Sequence, residues 1–185
     1  KIATCVEDAG WESIWFTEHH FGHEGYEVCP NPIMMSADIA ARTTTLRIGQ
    51  AANIVTYWNP LRLAEDIAML DHMSNGRIEV GVGRGIYGRE AVHLNKDADL
   101  KDQAQNFRLF EQTMAFLKKA WSQEFIDHDG EFFTYPEPGF TWNHAESPKS
   151  AIFMNMETNE LEKLAIVPRP LQQPHPPLWQ VVDGP

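Results

Sequence analysis

A glutamate and three histidines lie close together near the start of the chain, at Glu18, His19, His20 and His23. Carboxylate and imidazole groups can transfer protons near neutral pH, so this segment is a candidate for general acid–base chemistry. Histidines also bind metals, but adjacent histidines near the end of a strand point in opposite directions. Residues 23–27 also lack the second histidine of an H-E-x-x-H zinc motif. We therefore predict proton transfer here and no metal.

A second candidate is the glycine-rich segment 83–88, which matches G-x-G-x-x-G and contains Arg84. A dinucleotide-binding fingerprint needs a helix directly after the glycines and an acidic residue about twenty residues later. We predict neither feature here, which disfavours that interpretation. Glycines still allow backbone N–H groups to approach a phosphate closely, and a guanidinium can pair with it. We therefore predict that Arg84 contacts a phosphate group.

Short apolar runs predict the strands that position these segments. The first three runs start at nearly equal intervals, and each interval contains one strand, one loop, one helix and one turn. A repeated βα unit favours a parallel sheet with right-handed crossovers. TIM barrels and open doubly wound sheets both use this unit, so the spacing alone leaves both open. The predicted strands are 13–17, 46–50, 77–82 and 178–182, and the predicted helices are 1–9, 32–43, 60–73 and 106–121.

The segments that follow these strands are where an α/β protein forms its site, because the carboxyl ends of parallel strands share one edge. We therefore expect four loops to meet on one face. Residues 18–23 follow the first strand, 51–53 the second, 83–88 the third and 183–185 the fourth.

The sequence also predicts the remaining loops and the packing of the helices. Residues 83–105 are predicted to form a long loop, and residues 131–135 a short strand. Residues 136–177 are rich in proline and polar side chains, which predicts an insertion or long loop within the domain. On the helix 60–73, Arg62 and Glu65 are spaced to form an i,i+3 ion pair. The aromatic side chains of the helix 106–121 are predicted to lie in the core.

Composition excludes several classes of protein. The chain has 185 residues, of which 43% are hydrophobic, and a net charge of −11. These values are typical of a globular domain, and the acidic field would repel a nucleic acid. No apolar stretch approaches the roughly 20 residues of a membrane span. Cys5 and Cys29 form no C-x-x-C pair, and we expect free thiols in a reducing cytoplasm.

With these residues placed, the sequence resembles the bacterial luciferase-like flavin-dependent monooxygenases, which include alkanal and limonene monooxygenases. The similarity is carried by W-F-T-E-H-H-F at 15–21, N-P-L-R-L-A-E-D-I-A-M-L-D at 59–71, S-N-G-R at 74–77 and G-V-G-R-G at 81–85, in the order and spacing of the family.

The resemblance implies a TIM barrel that binds reduced FMN without a covalent bond. The flavin and O2 would then oxidise a small apolar organic substrate. It also implies a separate reductase, through which NAD(P)H supplies the reduced flavin indirectly.

The same resemblance assigns roles to individual residues. His19 matches a catalytic base near the flavin, and His20 is its neighbour. Ala51 and Ala52 match a segment with a non-proline cis peptide behind the isoalloxazine ring, and Arg84 matches a ligand of the flavin phosphate. Asp183 and Gly184 match the start of a second phosphate-binding loop, where the family often has Glu-Ser or Ser-Ser.

The resemblance also implies an assembly and an extent. The helices 32–43 and 60–73 correspond to the family's dimer interface, so we expect a homodimer when the protein is full length. Because closure of a barrel needs eight strands and four are predicted, we expect residues 1–185 to be a single incomplete barrel domain. The N-terminal strand and the C-terminal units would then be missing from this piece of a longer enzyme.

Two alternatives remain open at this point. One is a deazaflavin-dependent oxidoreductase of the same fold, whose cofactor differs from FMN in its phosphate-bearing tail. The other is a non-enzymatic flavin-binding protein.

Overall fold

A computed structural model describes residues 1–25 and 29–182, which form helices on a parallel sheet. Short 3₁₀ turns lie at Val55–Tyr57 and Lys96–Ala98. The helices are α1 (Ile2–Asp8), α2 (Pro32–Ala40), α3 (Pro60–Met73), α4 (Gly88–Leu94) and α5 (Gln103–Ser122), and the strands are β1 (Ser13–Phe16), β2 (Arg47–Gln50), β3 (Asn53–Ile54), β4 (Ile78–Gly83), β5 (His128–Asp129), β6 (Thr134–Tyr135) and β7 (Leu178–Gln180).

The sheet consists of neighbouring parallel strands in chain order. β1 pairs with β2, and β2 pairs with β4. Val82 of β4 pairs with Asn53 of β3 and also with Gln180 of β7, so β3 and β7 flank β4 on opposite sides. β3 therefore continues the position of β2, and four strand positions follow one another. This arrangement confirms the predicted α/β fold with a partial TIM barrel, and the described strands do not close into a complete barrel.

Every second side chain of a strand is apolar and faces a layer of helices. Ile78, Val80 and Val82 of β4 pack in one core with residues of α3 and α5. Trp121 of α5 is fully buried in this core, and its indole N–H donates to the carbonyl oxygen of Ala64 in α3 at 3.1 Å. This packing holds α3 and α5 against one face of the sheet.

The opposite face of the sheet carries polar and aromatic side chains. Glu79 of β4 accepts a hydrogen bond from the indole of Trp179 at 2.7 Å, and it also pairs with Arg47 of β2. Trp179 meets Trp15 of β1 edge to face, with the ring centroids 5.8 Å apart. Both tryptophans remain more than one third exposed. Side chains from all four strand positions, β1, β2, β4 and β7, thus meet on this face.

Two sequence predictions are wrong in this part of the chain. The predicted loop 83–105 contains α4, which starts directly at Gly88 after the glycine-rich segment, and a 3₁₀ turn. Local signals for α4 are weak, and it is stabilised by tertiary packing of Ala91 with Ile54 and Leu109. On α5, Phe107 is 45% exposed and lies beneath the guanidinium of Arg84 rather than in the core.

Other predictions differ mainly at their boundaries. The short strand 131–135 is one arm of a hairpin that β5 and β6 form. Residues 136–177, all of which are described, contain turns and isolated bridges but neither a helix nor a longer strand. The predicted ion pair between Arg62 and Glu65 is present at 3.0 Å. Cys5 and Cys29 are free thiols.

The junction between α2, β2 and β4 is held together by the guanidinium of Arg77. This group donates to the carbonyl oxygens of Ala40, Thr43, Leu46 and Ser74 at 2.7–3.1 Å. Burial lowers the pKa of Arg77, and Glu7 opposes this effect. One side chain therefore satisfies four backbone acceptors at once.

We expect Arg77→Met to lower the free energy of unfolding by about 2–4 kcal/mol, because several carbonyl groups lose a charged donor. Urea denaturation measures this change. Arg42→Met is the matched control, since Arg42 forms an exposed pair with Asp38, and its cost should stay below about 1 kcal/mol. Similar unfolding midpoints for the two variants would contradict the role given to Arg77.

Candidate functional site

The carboxyl ends of β1, β2, β4 and β7 surround a cleft of about 460 Å³, which we call the main cleft. Its walls come from every strand position of the parallel sheet. Its lining residues include Glu18, His19, Ala51, Ala52, Ile54, Gly83, Arg84, Gly85, Ile86, Gln103 and Gln180.

The main cleft unites four of the residues predicted from sequence, namely His19, Ala51, Ala52 and Arg84. His20 lines a neighbouring cleft of about 380 Å³, which we call the second cleft. His19 and Ile86 line both. Asp183 and Gly184 lie outside the described residues.

Glu18 is the buried centre of the site and is only 2% exposed. Its carboxylate accepts from the backbone N–H of Ile54 at 2.8 Å and from the indole N–H of Trp58 at 3.0 Å. It also lies 3.0 Å from Nε2 of His20. A buried carboxylate is tolerated when its oxygens are satisfied in this way. Glu18 therefore connects the loop after β1 to β3 and the 3₁₀ turn after it.

The two histidines face a second buried carboxylate, that of Glu90 in α4. The backbone N–H of His20 donates to Oε1 of Glu90 at 2.7 Å. The same oxygen lies 3.5 Å from Nδ1 of His19, whose own backbone N–H donates to the carbonyl oxygen of Cys29 at 3.1 Å. The His19–His20 segment is thus fixed between α4 and the chain that precedes α2.

A cis peptide joins Ala51 to Ala52, as the resemblance implied. A buried amide network supports this segment from behind. Asn53 donates through Nδ2 to the side-chain oxygen of Gln50 and to the carbonyl oxygen of Gly81, both at 3.2 Å. These contacts fix the backbone between β2 and β3 against β4, where it forms a wall of the main cleft.

Arg84 follows β4 and is half-buried at the main cleft. Its guanidinium lies over the ring of Phe107, 5.5 Å from the ring centroid, and 3.4 Å from side-chain oxygens of Gln103 and Asn106. Its carbonyl oxygen accepts from Thr56 and Asn106 at 3.1 and 3.2 Å. Backbone and side chain are therefore both oriented, which leaves a fixed positive group at the rim of the cleft.

Tyr57 lies directly behind the glycine-rich segment. Within residues 1–25 and 29–182, no hydrogen-bond partner is found for its buried hydroxyl group. Burial raises the pKa of Tyr57 well above its usual range, and the charges of Glu90 and Glu18 add to this effect. A side chain at Gly85 would collide with the Tyr57 hydroxyl, and Gly85 also has a positive φ of 88°. Glycine is therefore required at this position of the cleft wall.

The site thus combines imidazoles backed by carboxylates, a positive group and a glycine-rich wall. Among the residues that the structure describes, no cluster of three or more histidine, cysteine or acidic side chains could hold a metal ion. Within the same residues, no helix has the length and apolar character needed to cross a membrane. The arrangement can bind an anionic ligand at Arg84 and transfer protons at His19.

Sequence reasoning missed Glu90, Trp58 and Tyr57 as parts of the site. Glu90 was hidden because its segment was predicted to be a loop, and its contact with His20 spans 70 positions of the chain. Trp58 and Tyr57 follow β3, so their position after a strand was the only available signal.

Comparison with known proteins places this geometry in a family. A model of the family described as luciferase-like monooxygenase matches residues 1–181. The chain belongs to this family. The match covers every described element and both clefts.

One relative found in the comparison is a longer protein than this chain. The oxygenase component of a flavin-dependent trigonelline monooxygenase from Acinetobacter baylyi is 28% identical over 185 residues, which are 100% of this chain and 42% of that protein. The chain therefore spans less than half the length of this relative.

Solved structures show the shared fold. The oxygenating constituent of 3,6-diketocamphane monooxygenase from Pseudomonas putida, in complex with FMN, matches with a TM-score of 0.72 and 21% identity, over 97% of this chain and 43% of that one. An F420-dependent secondary alcohol dehydrogenase in complex with an F420–acetone adduct matches with a TM-score of 0.70 and 18% identity, over 96% and 46%.

We expect Glu18→Gln to destabilise the protein by about 2–4 kcal/mol, because an amide N–H₂ would face at least one of the donors that the carboxylate now satisfies. Chemical denaturation measures this loss. The control is Glu65→Gln, which removes an exposed carboxylate on α3 and should cost less than about 1 kcal/mol. An unchanged unfolding midpoint in Glu18→Gln would remove the central role of this carboxylate.

Proposed function

We propose that this chain forms part of an FMN-dependent monooxygenase that uses reduced flavin and O2 to oxidise a small apolar organic molecule. The observation that carries the proposal is the meeting of His19, the cis Ala51–Ala52 segment and Arg84 in one cleft at the carboxyl edge of the sheet. Ligands of α/β barrels bind at this edge. Family membership and the FMN complex of a structural neighbour point in the same direction.

The main cleft fits a flavin mononucleotide in size and chemistry. Its volume of about 460 Å³ lies within the 300–1,000 Å³ that is usual for such ligands. Arg84 would hold the phosphate, and Ala51 and Ala52 would lie behind the ring system. Asp183 and Gly184 would begin a second phosphate-binding loop. When bound and reduced, the flavin supplies the electrons for reaction with O2.

The protein's own groups would orient the reactants and handle protons. His19 is the proposed proton-transfer group because it lines both clefts, and imidazole is the side chain that most often serves as a general acid or base in enzymes. Glu18 holds His20 beside it. We place the substrate in the second cleft, where Ile86 and the half-exposed ring of Tyr87 offer an apolar wall beside His19.

A separate reductase is the proposed source of reduced flavin, with NAD(P)H as the ultimate electron donor. The trigonelline enzyme, described as an oxygenase component, supports this division of labour. A two-component system would leave the barrel free of any NAD(P)H site.

The decisive measurement is binding of reduced FMN to the full-length protein under anaerobic conditions, followed by turnover in O2. We expect Arg84→Met to weaken reduced FMN about tenfold or more, because a charged hydrogen bond to phosphate is lost. Binding of reduced riboflavin, which lacks the phosphate, should change little.

We expect His19→Ala to retain FMN and to lower kcat by about 10²–10⁴-fold.

The alternatives predict different results in the same experiment. Preference for reduced F420 over FMN would favour the deazaflavin-dependent oxidoreductase, whose fold is shared by one structural neighbour. FMN binding without oxygen consumption would favour a non-enzymatic flavin-binding protein. Full turnover by His19→Ala would contradict the role proposed for His19.

We also propose that the full-length protein is a homodimer that buries one face of α2 and α3. These two helices pack together and expose four large apolar side chains, which is unusual for a solvated helix face. The exposed side chains are Met34, Met35, Met69 and Met73.

Light scattering of the full-length protein at micromolar concentration should give the mass of a dimer. We expect Met69→Glu to shift the mass toward the monomer, because a charge in an apolar interface is costly. Ile152→Glu is the control, since Ile152 is at least as exposed as Met69 but lies in the segment 136–177. A monomeric parent protein would contradict the proposed interface.

A further inference from the structure

Arg84 differs from most arginines of this chain in the charge of the groups that surround it. Other arginines form ion pairs with aspartate or glutamate, namely Arg42, Arg47, Arg62, Arg89 and Arg108. Among residues 1–25 and 29–182, no carboxylate forms an ion pair with Arg84. In a chain with a net charge of −11, a guanidinium that meets only neutral groups calls for a physical explanation.

The neutral groups that hold Arg84 lie at the start of α5. The side-chain oxygens of Gln103 and Asn106 both lie 3.4 Å from Nη1 of the guanidinium, and the ring of Phe107 lies against its face. In the part of the chain that the structure describes, we find no hydrogen bond from Nε or Nη2. These two nitrogens form an edge that can bind two oxygens of one phosphate group at once.

The two amide groups are oriented by further contacts of their own. Asn106 is fully buried, and its Nδ2 donates to the carbonyl oxygens of Arg84 and Ala98 at 3.2 and 3.0 Å. Both N–H groups are then used, so its side-chain oxygen is the group that faces Nη1. Nε2 of Gln103 donates to the carbonyl oxygen of Leu100 at 2.8 Å, which turns its side-chain oxygen toward Nη1 as well.

A neutral acceptor can orient a guanidinium without cancelling its charge. A carboxylate in the same place would form an ion pair, and an incoming phosphate would then have to compete with it. Amide oxygens bind a guanidinium more weakly, and a donor–acceptor distance of 3.4 Å is long for a hydrogen bond. The positive charge of Arg84 therefore stays available for an anion in the main cleft.

We infer that Gln103 and Asn106 are positioning residues for Arg84. They hold Nη1 through neutral oxygens, and they reserve the charge and the Nε–Nη2 edge for a phosphate group. This inference deepens the proposed function and rests on it, because the phosphate is that of the proposed flavin. Asn106 acts through Arg84 and not through a contact with the flavin.

The first test places a negative charge beside Arg84 in the full-length protein. Gln103→Glu keeps the length of the side chain and an oxygen near Nη1, but it pairs the guanidinium. Reduced FMN should bind about tenfold more weakly, whereas the affinity for reduced riboflavin, which lacks the phosphate, should stay unchanged. Gln105→Glu is the matched control in the same turn of α5, since the Gln105 amide donates to the carbonyl oxygen of Asp97 instead. Its ratio of FMN to riboflavin affinity should equal that of the parent.

The second test removes the Asn106 contact without adding a charge. Asn106→Ala should lower the ratio of FMN to riboflavin affinity by about threefold to tenfold, because the phosphate is the part of FMN that Arg84 meets. In the Arg84→Met background, Asn106→Ala should not lower this ratio further, since a positioning residue acts through its partner. In the ligand-free protein, ¹⁵N relaxation of the Arg84 Nε–H group should show larger motion in Asn106→Ala than in the parent.

Three results would overturn the inference. They are equal losses of FMN and riboflavin affinity in Asn106→Ala, unchanged Arg84 relaxation in that variant, and a ratio that falls as far in Gln105→Glu as in Gln103→Glu. Gln103 is exposed, so Gln103→Glu and its control decide the question if Asn106→Ala does not fold. If the parent binds neither flavin while Asn106→Ala still mobilises Arg84, the positioning of Arg84 stands and the proposed function fails.

Discussion

The buried carboxylate of Glu18 is the interaction on which the geometry of both clefts depends. Its oxygens take hydrogen bonds from the backbone of β3 and from Trp58, and they lie beside His20. An ionised group away from water is stable only while such donors surround it. The loop after β1 therefore cannot move without leaving either the charge or its donors unsatisfied. His19 takes its position between the clefts from this constraint.

Close backbone approach is the complementary constraint, and it operates on β4. A side chain at Gly81 would collide with the carbonyl oxygen of Gln50 in β2, and a side chain at Gly85 with the hydroxyl group of Tyr57. These two glycines let the end of β2 and the 3₁₀ turn lie directly against β4. The result is a wall of backbone rather than side chains, at the place where Arg84 enters the main cleft.

Several acidic side chains of this negatively charged chain are buried and have specific partners. Glu18, Glu79 and Glu90 are buried carboxylates that face the interior or the carboxyl edge of the sheet. Glu79 is satisfied by Arg47 and Trp179 on the face opposite to the helices. Glu18 and Glu90 instead bracket the histidines. Buried carboxylates thus support sheet packing at Glu79 and hold the histidine segment in place at Glu18 and Glu90.

The sequence by itself determined the features that local chemistry encodes. The helix 60–73 has the predicted bounds, because Pro60 starts it and the side chain of Asn59 accepts from the N–H of Arg62. The regular alternation of strand and helix predicted the parallel sheet, and the motifs predicted the family. The Glu18–His20 segment could also be predicted as a candidate site, since its residue types and its place after a strand are local properties.

The tertiary structure decided what depends on contacts between distant segments. Helix α4 forms because Ala91 packs against β3 and α5, and no periodic pattern in seven residues could predict it. Phe107 was expected in the core, but the guanidinium of Arg84 covers its exposed ring. The contact of Glu90 with the histidine segment likewise joins residues that are 70 positions apart. Periodicity and capping reflect neighbours along a helix or strand, whereas the partner of a buried charge is set by how the chain folds back on itself.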